Sequence, residues 1–275
     1  MTSVGKPRLL ISVLSWNAPR YLENLLDNFD AMAPSGIAEW HVMVLDQGDD
    51  PRPRALLEQR RRSWLSVLFS EHNLGFAAGH NRVVETAWGQ GGFDAVAVVN
   101  QDVVFGACHW ADGMLAAVTG TAQADSGRPA VAVAGPTAYA IDWSARMFHR
   151  DRPAGCDSFI EMSVAMISAQ AIRQAGLFDE SFVPAYIEDV DLCRRYKALG
   201  LELAVMPVPH VHRYLGRAGE PPPEAFRHLD RASPGWRERN RDLFYDRWSP
   251  PASLSADQLR QRFPKVYFPG PSGEP

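Results

Sequence analysis

Arg8-Leu-Leu-Ile-Ser-Val-Leu-Ser15 is a near-continuous apolar run that ends on a small polar residue. Such a run suits a central parallel strand covered on both faces. Next comes Asn17-Ala-Pro19, a helix start, after which Tyr21, Leu22, Leu25, Leu26 and Phe29 recur at helical spacing to make one apolar face. The alternation then repeats. Residues 40–46 read as a second strand, stopped by the turn chemistry of Gln47-Gly-Asp-Asp-Pro51. Residues 56–64 read as a basic-surfaced helix and 66–70 as a short strand. The loop Asn73-Leu-Gly75-Phe-Ala-Ala-Gly79-His80-Asn81 feeds a helix through Trp88, and residues 93–100 are the most strand-like segment of all. Short turns between alternating strands and helices predict an α/β fold, a mostly parallel open sheet with helices on both faces. Sheets of this kind bind ligands at the carboxyl ends of their strands, where Ser15, Asp46, Asn73 and Asp102 all fall.

Farther along, residues 110–119 suggest a helix and 130–135 another strand. Residues 136–160 are mixed, either loops or a small β-region. A strand over 161–167, a short helix over 169–175 ended by Gly176, a helix from about 187 to 199 with Gly200 at its end, and a final strand over 201–206 complete the pattern. Beyond Pro221-Pro-Pro223 lies a tail whose segment Trp236-Arg-Glu-Arg-Asn-Arg-Asp-Leu-Phe-Tyr-Asp-Arg-Trp248 interleaves charge and aromatics. Acidic residues among the arginines favour a helix packed on the domain or on a partner subunit over one lying on a membrane.

The formal net charge of −4 over 275 residues supplies no basic field, so nucleic acid is not indicated as a partner. Cys108, Cys156 and Cys193 are odd in number and lack metal-type spacing, which points away from a disulfide framework and toward a reducing compartment. The apolar run 9–14 is too short for a membrane span and has no cleavage-site pattern, so it reads as a strand and not a signal peptide. The expected location is cytoplasmic.

Several side chains carry chemistry. Asn100 and Asp102 stand two apart at a strand end, so they point the same way. Asp102 either ligates Mg²⁺ or Mn²⁺ through oxygen or caps the following turn. Asp46 ends a strand, where a carboxylate can accept hydrogen bonds from a nucleobase or a ribose. The glycines of the 73–81 loop permit close backbone approach to a phosphate, although the loop matches neither dinucleotide-binding nor P-loop patterns. Glu188, Asp189 and Asp191 crowd three carboxylates into four residues at a helix start. Acidic residues favour that position, and Asp191 can pair with Arg194 or Arg195, so at least one of the three is read as structural. His210 and His212 alternate without a cysteine or third histidine nearby, which speaks against zinc. They are a surface pair, or one of them completes a Mg²⁺ or Mn²⁺ shell.

The order of these landmarks is more specific than any one of them. It comprises Ser15-Trp-Asn17, Leu45-Asp46-Gln-Gly-Asp-Asp, the 73–81 loop, Val99-Asn100-Gln101-Asp102, Gly176-Leu-Phe-Asp179, Ile187-Glu188-Asp189-Val-Asp-Leu and a histidine after Met206-Pro. In this the chain resembles the inverting family 2 glycosyltransferases of the GT-A fold, rhamnosyltransferase-like members in particular, from about Leu9 to Gly216. The resemblance implies a Rossmann-like GT-A domain over residues 1–216 and a small helical extension over 217–275. It implies a nucleotide-sugar donor (a dTDP- or UDP-sugar), bound by Ser15, Asn17, Asp46, Asn73, Gly75, Asn81, Asn100 and Gln101. Asp102 and His212 would hold Mg²⁺ or Mn²⁺, and Asp189, paired with Glu188, would be the general base. The acceptor would be a glycan, a lipid-linked glycan met at the inner membrane surface, or a small natural product, and the aromatic tail is a candidate homodimer element. Two positions depart from the usual pattern: the Asp-x-Asp motif is Asn100-Gln-Asp102, and His80 replaces an Asn or a basic residue. The competing readings are a sugar-nucleotide pyrophosphorylase and a nucleotide-sugar-binding scaffold without turnover. The first lacks its glycine- and Arg/Lys-bearing loop after the first strand. The second is prompted by Asn100 but disfavoured by the retention of Glu188, Asp189 and His212.

Overall fold

The computed structural model describes residues 5–120, 130–150, 157–212, 233–248 and 253–269. The expected boundary between residues 216 and 217 and Cys156 lie outside the described residues. The first half follows the alternation: β1 (Arg8–Ser15), α1 (Pro19–Ala31), β2 (Glu39–Asp46), α2 (Pro51–Gln59), β3 (Leu65–Phe69), α3 (Gly75–Gly89) and β4 (Ala95–Asn100). Next come β5 (Val103–Phe105), α4 (Asp112–Thr119), β6 (Val131–Gly135), β7 (Ala138–Asp142), β8 (Met147–His149), β9 (Ser158–Ile160) and β10 (Val164–Ser168). The remainder is α5 (Ala169–Ala175), α6 (Glu188–Ala198), β11 (Glu202–Val205), β12 (His210–His212), α7 (Trp236–Trp248) and α8 (Ala256–Arg262).

Seven strands form the central sheet in the order β11-β6-β10-β4-β1-β2-β3. All neighbours are parallel except β10, which runs antiparallel to both β4 and β6. The central strand shows why its apolar run was needed. Leu9, Ile11 and Val13 enter one core layer with Leu22, Leu25 and Phe29 of α1, while Leu10 faces the other layer with Val83 and Val84 of α3. Period-two alternation thus feeds two cores at once.

Residues 136–160, where described, form a separate antiparallel sheet, β8-β7-β9. The strand expected over 201–206 is present as β11, but it is not the last: His210–His212 pairs with β5 and sets His212 opposite Val103. The tail helix α7 buries Trp236, Phe244, Tyr245 and Trp248. Beyond α8, the chain packs so closely on the core that a Cβ on Gly176 (φ +74°) would lie 2.2 Å from Val266 Cγ1. Among the described residues no helix is long and apolar enough to cross a membrane.

Candidate active site

The parallel register of β1 and β2 sets Ser15 beside Asp46 at the carboxyl edge of the sheet. Ser15 Oγ donates to Asp46 Oδ1 at 3.1 Å. Burial pushes the Asp46 carboxyl above its ordinary pKa, with Ser15 and the Gly48 backbone pulling the other way. Asn17, at φ 47°, donates to Asp49 Oδ1 at 2.5 Å and accepts from the Asp50 N–H at 3.0 Å. Gln101 accepts from Trp16 N and donates to Trp16 O, each at 3.2 Å. Gln47 accepts from Leu74 N at 3.1 Å and donates to Gly75 O at 3.4 Å. One polar side chain therefore ties each strand-end loop to the next.

The antiparallel pairing of β5 and β12 carries His212 to Asp102, with Nε2 and Oδ1 3.1 Å apart. Octahedral donors ~2.1 Å from one hard cation stand about 3 Å from each other, so the pair has the spacing of two adjacent ligands. Asn100 Nδ2 lies 3.4 Å from the same His212 nitrogen and Glu161 Oε1 lies 3.8 Å from Nδ1. Burial opposes the imidazolium of His212, but its hydrogen bond to Asp102 and the charges of Asp102 and Glu161 outweigh that and raise its pKa. Its buried Nδ1 has no hydrogen-bond partner. No group of three or more His, Cys, Asp or Glu among the described residues could hold a metal ion unaided. One carboxylate and one imidazole fit a Mg²⁺ or Mn²⁺ that takes its remaining oxygens from a diphosphate and water. His210 faces elsewhere, with Nδ1 2.8 Å from Val208 O.

The three crowded carboxylates of α6 divide. Asp191 is fully buried and accepts from Arg195 Nε at 2.7 Å and Trp248 Nε1 at 2.9 Å. Arg195, also fully buried, spends its other donors on Ala175 O and Leu177 O, each at 2.5 Å. Asp191 is thus the structural member, and Arg195 is its partner. Glu188 and Asp189 line the cavity instead. They are presented by Tyr186 (φ 68°) and Ile187 (φ 81°), two consecutive non-glycine residues in the left-handed region. That bend is held by Asn240 of α7, which donates to Ala185 O at 2.9 Å. On its other side the Phe76 N–H donates to Pro184 O at 2.8 Å. Gly75 (φ +81°) is required there, since a Cβ would sit 2.5 Å from Pro184 O. Burial, with the nearby charge of Glu161, raises the Asp189 carboxyl to about 7. Burial and the adjacent Asp189 charge push Glu188 well above the carboxylate range, and its Oε2 has no hydrogen-bond partner.

A cavity of about 450 Å³ joins these groups. Of the residues singled out in the sequence, Asn73, Gly75, Asn100, Gln101, Asp102, Glu188, Asp189 and His212 line it. Ser15, Asn17 and Asp46 do not; they sit one position from the lining residues Leu14, Trp16, Ala18 and Gln47. Asn81 belongs elsewhere. It is buried, donates to Phe178 O at 3.0 Å and to Glu180 Oε1 at 2.9 Å, and accepts from Phe178 N at 3.1 Å, so its amide is committed to packing α3. His80 is a core residue, with Nδ1 2.7 Å from Ser12 Oγ and its pKa lowered by burial to about 3, so it is neutral and not a phosphate ligand. Sequence reasoning missed Trp16 and Gln47, which strand-end position alone could have flagged. It expected residues 136–160 and the tail to line an acceptor pocket, a range that holds Tyr139, Phe148 and Phe159, but it singled out none of these side chains, and it missed Glu161.

No protein-family model matches the chain, and a search among curated proteins finds no match. Solved structures do share its fold. The mannosyltransferase PcManGT from Pyrobaculum calidifontis, in complex with GDP-Man and Mn²⁺, is similar at TM-score 0.54 and 15% identity, over 94% of this chain and 79% of its own. GalNAc-T7 with UDP, GalNAc and Mn²⁺ is similar at TM-score 0.59 and 13% identity, over 95% of this chain. The chain spans only 56% of GalNAc-T7. At these identities the likeness is one of architecture: the protein has the GT-A fold.

Proposed function

We propose that the protein transfers a sugar from a nucleotide-diphosphate donor to an acceptor hydroxyl, with inversion at the anomeric carbon. The observation that carries this reading is a single cavity lined both by the Asp102–His212 pair and by Asp189, a half-buried carboxylate poised near neutral pH. A general base is most effective when its pKa lies near the working pH. Asp189 takes the proton of the acceptor hydroxyl as the new oxygen–carbon bond forms, while the bond from the anomeric carbon to the diphosphate breaks and its electron pair leaves with the diphosphate. Burial and its neighbour's charge raise Glu188 well above the ordinary carboxylate range, which favours Asp189 as the member of the pair that ionises. A Mg²⁺ or Mn²⁺ held by Asp102 and His212 would supply positive charge beside the departing diphosphate. The lining residues Trp16, Ala18 and Gln47, braced from behind by Ser15, Asn17 and Asp46, form the shelf for the nucleoside of a dTDP- or UDP-sugar.

The test is a thermal-shift screen of UDP, dTDP, GDP and CDP with and without Mn²⁺. A nucleotide at a hundredfold its Kd adds ~2.7 kcal/mol of stability. The expected result is metal-dependent stabilisation by one nucleotide that Asp102→Ala abolishes. No response to any of the four, in any metal, would overturn the reading. Product NMR then reads the anomeric configuration, and retention would remove the inverting assignment.

A further inference from the structure

The cavity lining is sorted by chemistry. Polar groups gather at Asn100, Asp102 and His212, whereas another part of the lining is a wall of rings. Tyr139 of β7 stacks on Phe159 of β9 with centroids 5.6 Å apart and planes 17° apart. Phe148 of β8 meets Phe159 edge-on at 5.4 Å. The wall is braced from behind, because Phe148 also stacks on Tyr245 at 5.8 Å and meets Phe244 at 6.1 Å, both buried on α7. Rings held in this way present a ready-made apolar face and lose little freedom when a ligand arrives.

Charge narrows the ligand further. Among the described residues that line the cavity there is no lysine or arginine, yet there are four carboxylates, Asp102, Glu161, Glu188 and Asp189. Glu188 is 4% exposed and its Oε2 is unpartnered. An acidic or phosphorylated acceptor would meet Glu161 and Asp189 with no lysine or arginine in the described lining beside them. A glycan carries several hydroxyls, and each one that the cavity buries without a partner costs about 1–3 kcal/mol.

We infer that the acceptor is an uncharged aromatic small molecule bearing a hydroxyl, lodged against Tyr139, Phe148 and Phe159 with that hydroxyl at Asp189. This rests on the glycosyl-transfer reading above and names its substrate class. A phenolic hydroxyl, with a pKa of about 10, yields its proton to a carboxylate far more readily than an alkyl alcohol does. The phenol proton passes to Asp189, the oxygen bonds the anomeric carbon, and the diphosphate departs with the electron pair of the bond that breaks.

Three probes test the seat: 2-naphthol, its acidic counterpart 6-hydroxy-2-naphthoate, and maltotriose. Binding is read by saturation-transfer NMR, and donor hydrolysis and transfer are read separately by mass spectrometry. The expected result is that 2-naphthol binds at least tenfold tighter than either of the others. Tyr139→Leu, which keeps apolar bulk but removes the ring, should weaken it about tenfold, while Tyr139→Phe should stay within about twofold. Phe148→Leu should act in the same direction as Tyr139→Leu, from a different strand. Equal or tighter binding of maltotriose or the naphthoate, or wild-type affinity in both leucine variants, would overturn the inference. If the donor is hydrolysed and maltotriose takes the sugar, glycosyl transfer stands and the aromatic acceptor falls. If 2-naphthol binds as expected but no nucleotide sugar is cleaved, the aromatic seat stands and the transferase reading falls.

Discussion

The strand-end shelf and the carboxylate bend occupy the same region of the molecule, but they are held in opposite ways. On the shelf, Ser15, Asn17, Gln47 and Gln101 each tie one loop to its neighbour, so the shape rests on many modest bonds. At the bend, two left-handed residues hang largely on one buried side chain, Asn240, which donates to Ala185 O and reaches Val183 O and Tyr186 O as well, while Asp191 with Arg195 and Trp248 fixes the helix that follows. Redundant bracing tolerates the loss of one member. A strained segment hung largely on one side chain does not, and it is the segment that presents Asp189, the proposed base.

The sharpest way to exploit that contrast is at the base itself. Asp189→Asn should lower kcat by ~10²–10⁴-fold while raising thermal stability at pH 8. The folded-state pKa of Asp189 is about 7, above the ~3.9 of an unfolded aspartate, so the folded protein binds the extra proton between those values. Stability from this group is therefore present at low pH and declines as pH rises toward 7. The Tm gap between the asparagine variant and wild type should be widest at pH 8 and narrow at pH 5. Wild-type kcat/KM should rise through an acid limb near pH 7, and an acid limb near pH 4 would remove Asp189 as the base.

Next in size is the anchor behind it. Asp191→Ala leaves the fully buried Arg195 without its carboxylate, which should cost about 3–5 kcal/mol in denaturant unfolding. Asn240→Leu keeps volume but deprives Ala185 O of its donor. The expected loss is about 1–3 kcal/mol, with kcat falling more than donor affinity because the bend, not the shelf, is disturbed. On the shelf, Ser15→Ala should cost only ~0.5–1.5 kcal/mol in unfolding. If it proves as costly as Asn240→Leu, the contrast between redundant and sparse bracing is broken.

Much of the proposed donor side was legible because its signals are local. A strand buried on both faces must be almost wholly apolar, so residues 8–15 and 93–100 announce themselves, and the polar residue ending each lands at the ligand edge. Asn81 was assigned to the donor for the same reason, and the role of His80 stayed open. A glycine-bearing loop beside a ligand edge suggests phosphate, but these two lie inside α3 with their polar atoms turned into the core. The proposed acceptor side was less legible, since Glu161, Tyr139 and Phe148 gain meaning only from elements that meet them in space.

By itself, the chain determined its alternating α/β architecture, its sheet edge and the carboxylate cluster at residues 188–191, because hydrophobic period and helix-start chemistry are written over a few neighbouring residues. Only the tertiary structure decided which of those carboxylates faces the cavity. It brought His212 to Asp102 by pairing two three-residue strands over a hundred positions apart, and it set Asn240 of the tail against the bend at Ala185. Burial, pKa and partnership are properties of what surrounds a side chain, and that is settled only when distant segments pack.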